Sequence, residues 1–326
     1  MDWPGSGSPG TPEREPDAAR EETCLSPERP GDDQPLLVLD SPSSTLQAVN
    51  SETTAVLDQA TELRRLVRET APAVSGRGCA CPRLVAVTGG KGGVGTTTIA
   101  VNLAVALAQA GRRAALADLS PSGRDAAALC GLDRRRTQIG GRTNESPIAG
   151  LLEPGAGGVR VLAGGWSPEA PWTSPEAEDR LLDGVASLGP MVDFVVVDAG
   201  NSPGRGARRL WRAADAILLV VTPELTSVMN AYAAVKSLAP HDGPPEMFSV
   251  VSRAPAADVA ADIHARLAQA CRRFLGIRLR FAGYVPPAIE IEEAGRRGEP
   301  VVLASPASSA CRQIVAVSRE IAGSEI

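Results

Sequence analysis

The stretch Gly89 to Thr98 reads GGKGGVGTTT, preceded by the apolar run Leu84-Val85-Ala86-Val87 and followed by IAVNLAVALAQAG. Strand, glycine loop and helix in that order are the context of a phosphate-binding loop. Against the template G-x-x-x-x-G-K-[ST], Gly90, Gly95 and Thr97 match, but Thr96 stands where the lysine belongs. Gly90, Gly92, Gly93 and Gly95 let successive backbone N–H groups turn inward as an anion nest, and the helix that follows adds its positive N-terminal dipole. Lys91, Val94 and Thr98 complete the loop, and the Thr97 hydroxyl stands where such a loop coordinates Mg²⁺. Asp198 ends the apolar run DFVVVD about a hundred residues on, placed to hold that ion through its water shell.

The missing lysine has a calculable effect. One charged hydrogen-bonding partner of a polyphosphate contributes about 1.5–3 kcal/mol, so its loss weakens binding by about one to two decades while the nest, dipole, Lys91 and Mg²⁺ remain. Hydrolysis suffers more, because the lysine offsets charge developing on the transferred phosphoryl group. The expectation is a loop that binds nucleotide and hydrolyses it slowly or not at all. The alternative is that a neighbouring base, Arg124 or Lys91, stands in for the lysine.

From Arg83 onward the chain alternates short β-rich runs with helical stretches, which predicts an α/β fold with a mostly parallel twisted sheet and helices on both faces. The strand runs are 84–88, 114–118, 159–163, 193–198, 216–221, 248–252 and 279–285. Helices are expected over Thr97–Ala110, Glu176–Leu188, Gly206–Ala214, Ser227–Leu238, Asp258–Phe274 and Ser309–Ala322. Right-handed crossovers then place the loops after the strands along one sheet edge, and the candidate chemistry falls there.

The 326 residues are unevenly composed. Residues 1–44 hold ten Asp/Glu against three Arg, with eight prolines, so this segment carries −7 of a chain total of −5 and leaves the remainder at +2. Such a segment cannot bury enough apolar surface to offset its ordering entropy and is expected to be a disordered acidic tail. The expected organisation is this tail (1–44), an amphipathic partner-binding helix (45–70), a linker (71–82) and a P-loop ATPase domain (83–326). The six cysteines have neither zinc-pair nor Cys-x-x-Cys spacing and are expected to be reduced thiols. No apolar stretch reaches the ~20 residues of a membrane span, and no signal-peptide pattern opens the chain. The chain is therefore expected to be cytoplasmic. With only His241 and His264 available, acid–base or metal chemistry based on histidine is disfavoured.

The segment KGGVGTTTIAVNLAVALAQAG resembles the deviant phosphate loop of the MinD/ParA family of ATPases, usually KGGVGKTT, and the similarity runs from Arg83 to the C-terminus. Within that family it is most similar to the FlhG branch, also called YlxH or FleN, the flagellar number and placement ATPases. Residues 222–238, 274–314 and LDQATELRRLV (57–67) carry this likeness. The resemblance implies a MinD-like P-loop NTPase fold, ATP and Mg²⁺ as cofactors, and an ATP-dependent homodimer in which Lys91 reaches the phosphates of the facing subunit. It also implies that Asp118 is the first aspartate of the family's DxD pair, with Ser120 in place of the second. Ser252 replaces the asparagine that commonly reads adenine, and Pro286 joins the nucleotide-binding set.

The segment 57–67 is similar to the N-terminal element by which that branch engages FlhF, a signal-recognition-type GTPase, implying contacts from Leu57, Asp58, Gln59, Ala60, Leu63 and Arg64. Periodicity by itself puts Leu57, Ala60, Leu63 and Val67 on one helix face, suited to a partner's groove or to this chain's own surface. The final helix, ACRQIVAVSREIA, has the pattern of a core-packing helix rather than a basic, membrane-seeking one, so membrane contact is expected to be weak or indirect, at the inner face of the plasma membrane or a cell pole. Nucleic acid is disfavoured by the small net charge of the domain, although arginine clusters at 134–136, 205–212 and 272–280 are available. The alternatives are a pilus-localisation scaffold of the CpaE/TadZ kind, a ParA-like DNA-partitioning ATPase and a MinD-like division-site ATPase.

Overall fold

The computed structural model describes residues 81–119, 125–132, 148–162, 175–201, 204–240 and 243–323. The tail, the 45–70 helix, most of the linker, Ser120, Arg124, Arg134–Arg136 and His241 lie outside the described residues.

Eight strands form one sheet: β1 (Arg83–Gly89), β2 (Ala114–Asp118), β3 (Leu152–Pro154), β4 (Arg160–Leu162), β5 (Phe194–Asp198), β6 (Ala216–Val221), β7 (Glu246–Ser252) and β8 (Leu279–Val285). Their order is β3-β4-β2-β5-β1-β6-β7-β8, parallel throughout except for the antiparallel pair β3–β4. The continuous apolar runs of the central strands follow from burial on both faces. Alternate residues serve opposite layers: Val85, Val87, Val196 and Leu218 pack to one side, Leu84, Ala86, Val197 and Leu219 to the other.

The first layer contains α1 (Thr96–Gln109), α2 (Asp125–Leu129), α7 (Ile289–Arg297), α8 (Val301–Ala304) and α9 (Ser309–Ala322). The second contains α3 (Pro175–Ala186), α4 (Arg205–Ala213), α5 (Leu225–Leu238) and α6 (Ala257–Leu275). The expected helices and the matching strands agree with these bounds to within two residues. Buried Asn102 ties two elements of the first layer, donating to Thr98 O at 2.8 Å and accepting from Val302 N at 3.1 Å. Helix α9 is a core helix as its pattern predicts, with Ile314, Val317 and Ile321 buried against α1 and β8. Among the described residues no helix is long and apolar enough to cross a membrane.

The sequence reading missed β3, α2, α7 and α8. His264 is committed to packing: its Nδ1 lies 2.7 Å from Ser249 Oγ, its ring sits against Phe281, and burial lowers its pKa. Cys130, Cys271 and Cys311 are buried free thiols. Burial, joined by the nearby Asp118 charge, pushes Cys130 up to about 12, so it stays protonated and unreactive at neutral pH.

Candidate functional site

Parallel pairing brings the C-terminal ends of the strands to one edge. The registers Val87↔Asp198 and Asp118↔Asp198 align the ends of β1, β2 and β5 there. The loop 90–95 leaves β1 at that edge and turns into α1 at Thr96, with Gly93 (φ 79°) and Gly95 (φ 96°) in the left-handed region where a side chain would be strained. Gly90 is required for a different reason. A Cβ there would lie 2.8 Å from Ala231 Cα, and closer still to Ala231 N and the Asn230 carbonyl carbon, so the loop is seated on the backbone of α5.

Thr97 Oγ1 donates to Asp198 Oδ2 at 2.6 Å, which brings together the two residues expected to hold Mg²⁺. Asp198 is fully buried, and its Oδ1 accepts from Gly200 N at 3.1 Å. The turn after β5 is fixed to β1: Gly200 O accepts from Gly89 N at 3.0 Å and from Thr88 Oγ1 at 2.9 Å. A glycine cradle opening beside a paired hydroxyl and carboxylate fits a magnesium-bound polyphosphate. Bound there, the metal and phosphates would supply a polarised terminal phosphoryl group, with Thr97 and Asp198 as holders of the ion and the loop N–H groups as holders of the phosphates.

The structure distributes the remaining candidates as follows. Thr96 is buried, and its hydroxyl stands 2.7 Å from where a Cβ on Gly89 would lie, so it turns toward the strand end. Lys91 forms an ion pair with Glu224, which precedes α5. That hydrogen bond holds the Glu224 carboxyl below its ordinary range. Asp118 is buried, and its Oδ2 accepts from Ala126 N at 3.2 Å, at the start of α2 rather than at Thr97. Ser252 ends β7 with its Oγ 3.4 Å from the Cβ position of Gly95. Pro286 follows β8, three strands from β1 along the same edge. Val94 is buried, while Gly92 is exposed and Thr98 half-buried.

Three further residues were not singled out by the sequence reading. Glu224 is the partner of Lys91. Arg253, whose charge also acts on Glu224, has φ 58° and is the only non-glycine residue in the left-handed region among those described. Its strain, about 1–3 kcal/mol for such a conformation, falls at the same edge. Asn201 faces Gly92. Of the arginine clusters, Arg209 is taken by Asp179 and Arg280 by Glu320.

The family profile of the CobQ/CobB/MinD/ParA nucleotide binding domain matches residues 85–301, more than half of the chain. The chain belongs to the MinD/ParA family. Among curated relatives, the antiactivator FleN of Pseudomonas aeruginosa is 32% identical over 240 residues, covering 73% of this chain and 86% of that protein. The flagellum site-determining protein YlxH of Helicobacter pylori is 26% identical over 156 residues, covering 47% and 53%. Within the MinD/ParA family these place the chain with the FleN branch. Chromosome-partitioning and iron–sulfur carrier proteins also match it. A MinD of Pyrococcus horikoshii solved with Mg-ADP has the same fold, with a TM-score of 0.59 at 19% identity over 74% of this chain and 96% of that one. Against the usual KGGVGKTT of the MinD/ParA family, the change at Thr96 falls on a buried side chain whose hydroxyl lies beside Gly89.

Proposed function

We propose that the chain is an ATP-binding spatial regulator of the MinD/ParA type, governing flagellar number or placement through a GTPase of the FlhF kind. The observation that carries the nucleotide reading is the 2.6 Å bond between Thr97 and Asp198 at the mouth of the glycine loop. The names of the FleN and YlxH relatives support the flagellar role. ATP would occupy the loop, Thr97 would hold Mg²⁺ with Asp198 acting through the ion's water shell, and Lys91 would leave Glu224 to reach a second copy of the chain across an ATP-dependent dimer. Exposed Leu225 and Met229 beside Glu224 support that face as the contact. Hydrolysis is slow or absent because Thr96 offers no charge to the transferred phosphoryl group.

Calorimetry on the full chain tests the nucleotide reading: ATP and ADP should both bind with Mg²⁺, and Asp198→Asn should remove the magnesium dependence. No heat at millimolar nucleotide would show a vestigial site. The partner reading is tested separately. A peptide spanning Ser51–Ala71 should bind and stimulate an FlhF-type GTPase domain, and Leu63→Asp should abolish binding without changing the melting temperature of the full chain. A drop of several degrees would instead make the segment a structural strap.

A further inference from the structure

With the Thr96 hydroxyl turned to the strand end and Lys91 engaged by Glu224, neither side chain of the loop is aimed at its outer rim. Another side chain is there. Asn201 Nδ2 lies 3.6 Å from the position a Cβ on Gly92 would take, and the amide makes no hydrogen bond among the described residues. The side chain is exposed, so it can bind a ligand without first losing an internal partner. Its mounting is rigid. Gly200, immediately before it, has φ 60° and is fixed by three hydrogen bonds, two from β1 residues to its carbonyl oxygen and one from its N–H to Asp198. The backbone that carries the amide is thereby tied to both β1 and the metal-site carboxylate.

We propose that Asn201 is a phosphate-positioning residue that donates to the outermost phosphate and makes the site prefer a nucleoside triphosphate to a diphosphate. The inference rests on the nucleotide reading above. The N–H groups at the start of α1, beside Thr97, hold the inner phosphates of a bound nucleotide. Gly92 precedes that helix start by several residues, so a donor beside Gly92 meets the end of the phosphate chain. A carboxamide supplies two N–H donors and no charge. It can therefore orient a terminal phosphate without the lysine's electrostatic help to phosphoryl transfer, which suits a site that senses ATP while turning it over slowly.

The test measures dissociation constants for Mg-ATP and Mg-ADP by calorimetry on the full chain, unmodified and with Asn201→Ala and Asn201→Asp. Asn201→Ala is expected to weaken ATP about tenfold, the effect of one hydrogen bond, and to leave ADP within about twofold and the nucleotide-free melting temperature unchanged. Asn201→Asp should weaken ATP further, because a carboxylate repels the phosphate it faces. Equal losses for ATP and ADP, or no loss for either, overturn the proposal while leaving nucleotide binding intact. If the unmodified chain binds neither nucleotide, both readings fall.

Discussion

Thr96→Lys is expected to raise ATP hydrolysis by about 10²–10³-fold, the range associated with one preorganised donor aimed at developing charge. The structure explains why threonine cannot supply it. Thr96 is the first residue of α1, and its short side chain is tucked beside Gly89. A lysine is too long for that space and must extend over the loop, where its ammonium meets the phosphates. Ser120→Asp would restore the second aspartate of the DxD pair, which the family resemblance implies orients the attacking water, so the effects should be strongly non-additive and the double variant should exceed the product of the single changes. Steady-state phosphate release on the four proteins reads this out. An unmodified chain that already turns over as fast as the double variant would refute the assignment of the deficit to these positions.

The fold was legible wherever a run was long and buried on both faces. AILLVV at β6 and FVVVD at β5 have no polar residue to confuse the period before their last position. By contrast, β3 has three residues and ends in a proline, too short for any periodicity, and its existence depends on antiparallel pairing with β4. Helix α7 has local signals, with Glu290 and Glu292 in its first turn and Gly298 as a left-handed cap, but only Ala294 of its nine residues is fully buried, too little for an apolar stripe to mark it. In the site, Thr97 and Asp198 could be paired because each ends a recognisable local pattern. The Lys91–Glu224 pair, the left-handed Arg253 and the amide over Gly92 could not. The pair and the amide join residues from separate crossovers that only the strand order β5-β1-β6 makes neighbours, while the positive φ of Arg253 is a local backbone state that its residue type does not announce.

Gly90→Ala is expected to abolish nucleotide binding and to lower the melting temperature by about 5–10 °C, corresponding to roughly 2–3 kcal/mol in a domain of this size. The added methyl would press on the backbone of Asn230 and Ala231, which no rotamer change relieves. Helix α5 cannot retreat cheaply either, since Ala231 and Val235 are fully buried against the sheet and Leu238 is nearly so. The loop must move instead, and with it the N–H groups that form the nest. Its neighbours provide the control. A methyl on Gly93 meets nothing within 4 Å and suffers only the strain of φ 79°, about 1 kcal/mol. A methyl on Gly92 makes ordinary contact with Asn201. The order of damage should therefore be Gly90→Ala, then Gly93→Ala, then Gly92→Ala, by thermal unfolding without nucleotide. Equal stability for Gly90→Ala and Gly92→Ala would mean that the loop is not seated on α5. The ranking also bears on coupling, because the same helix is preceded by Glu224 and carries exposed Leu225 and Met229 in its first turns. A loop braced on that backbone cannot shift without pushing on the helix that presents those residues.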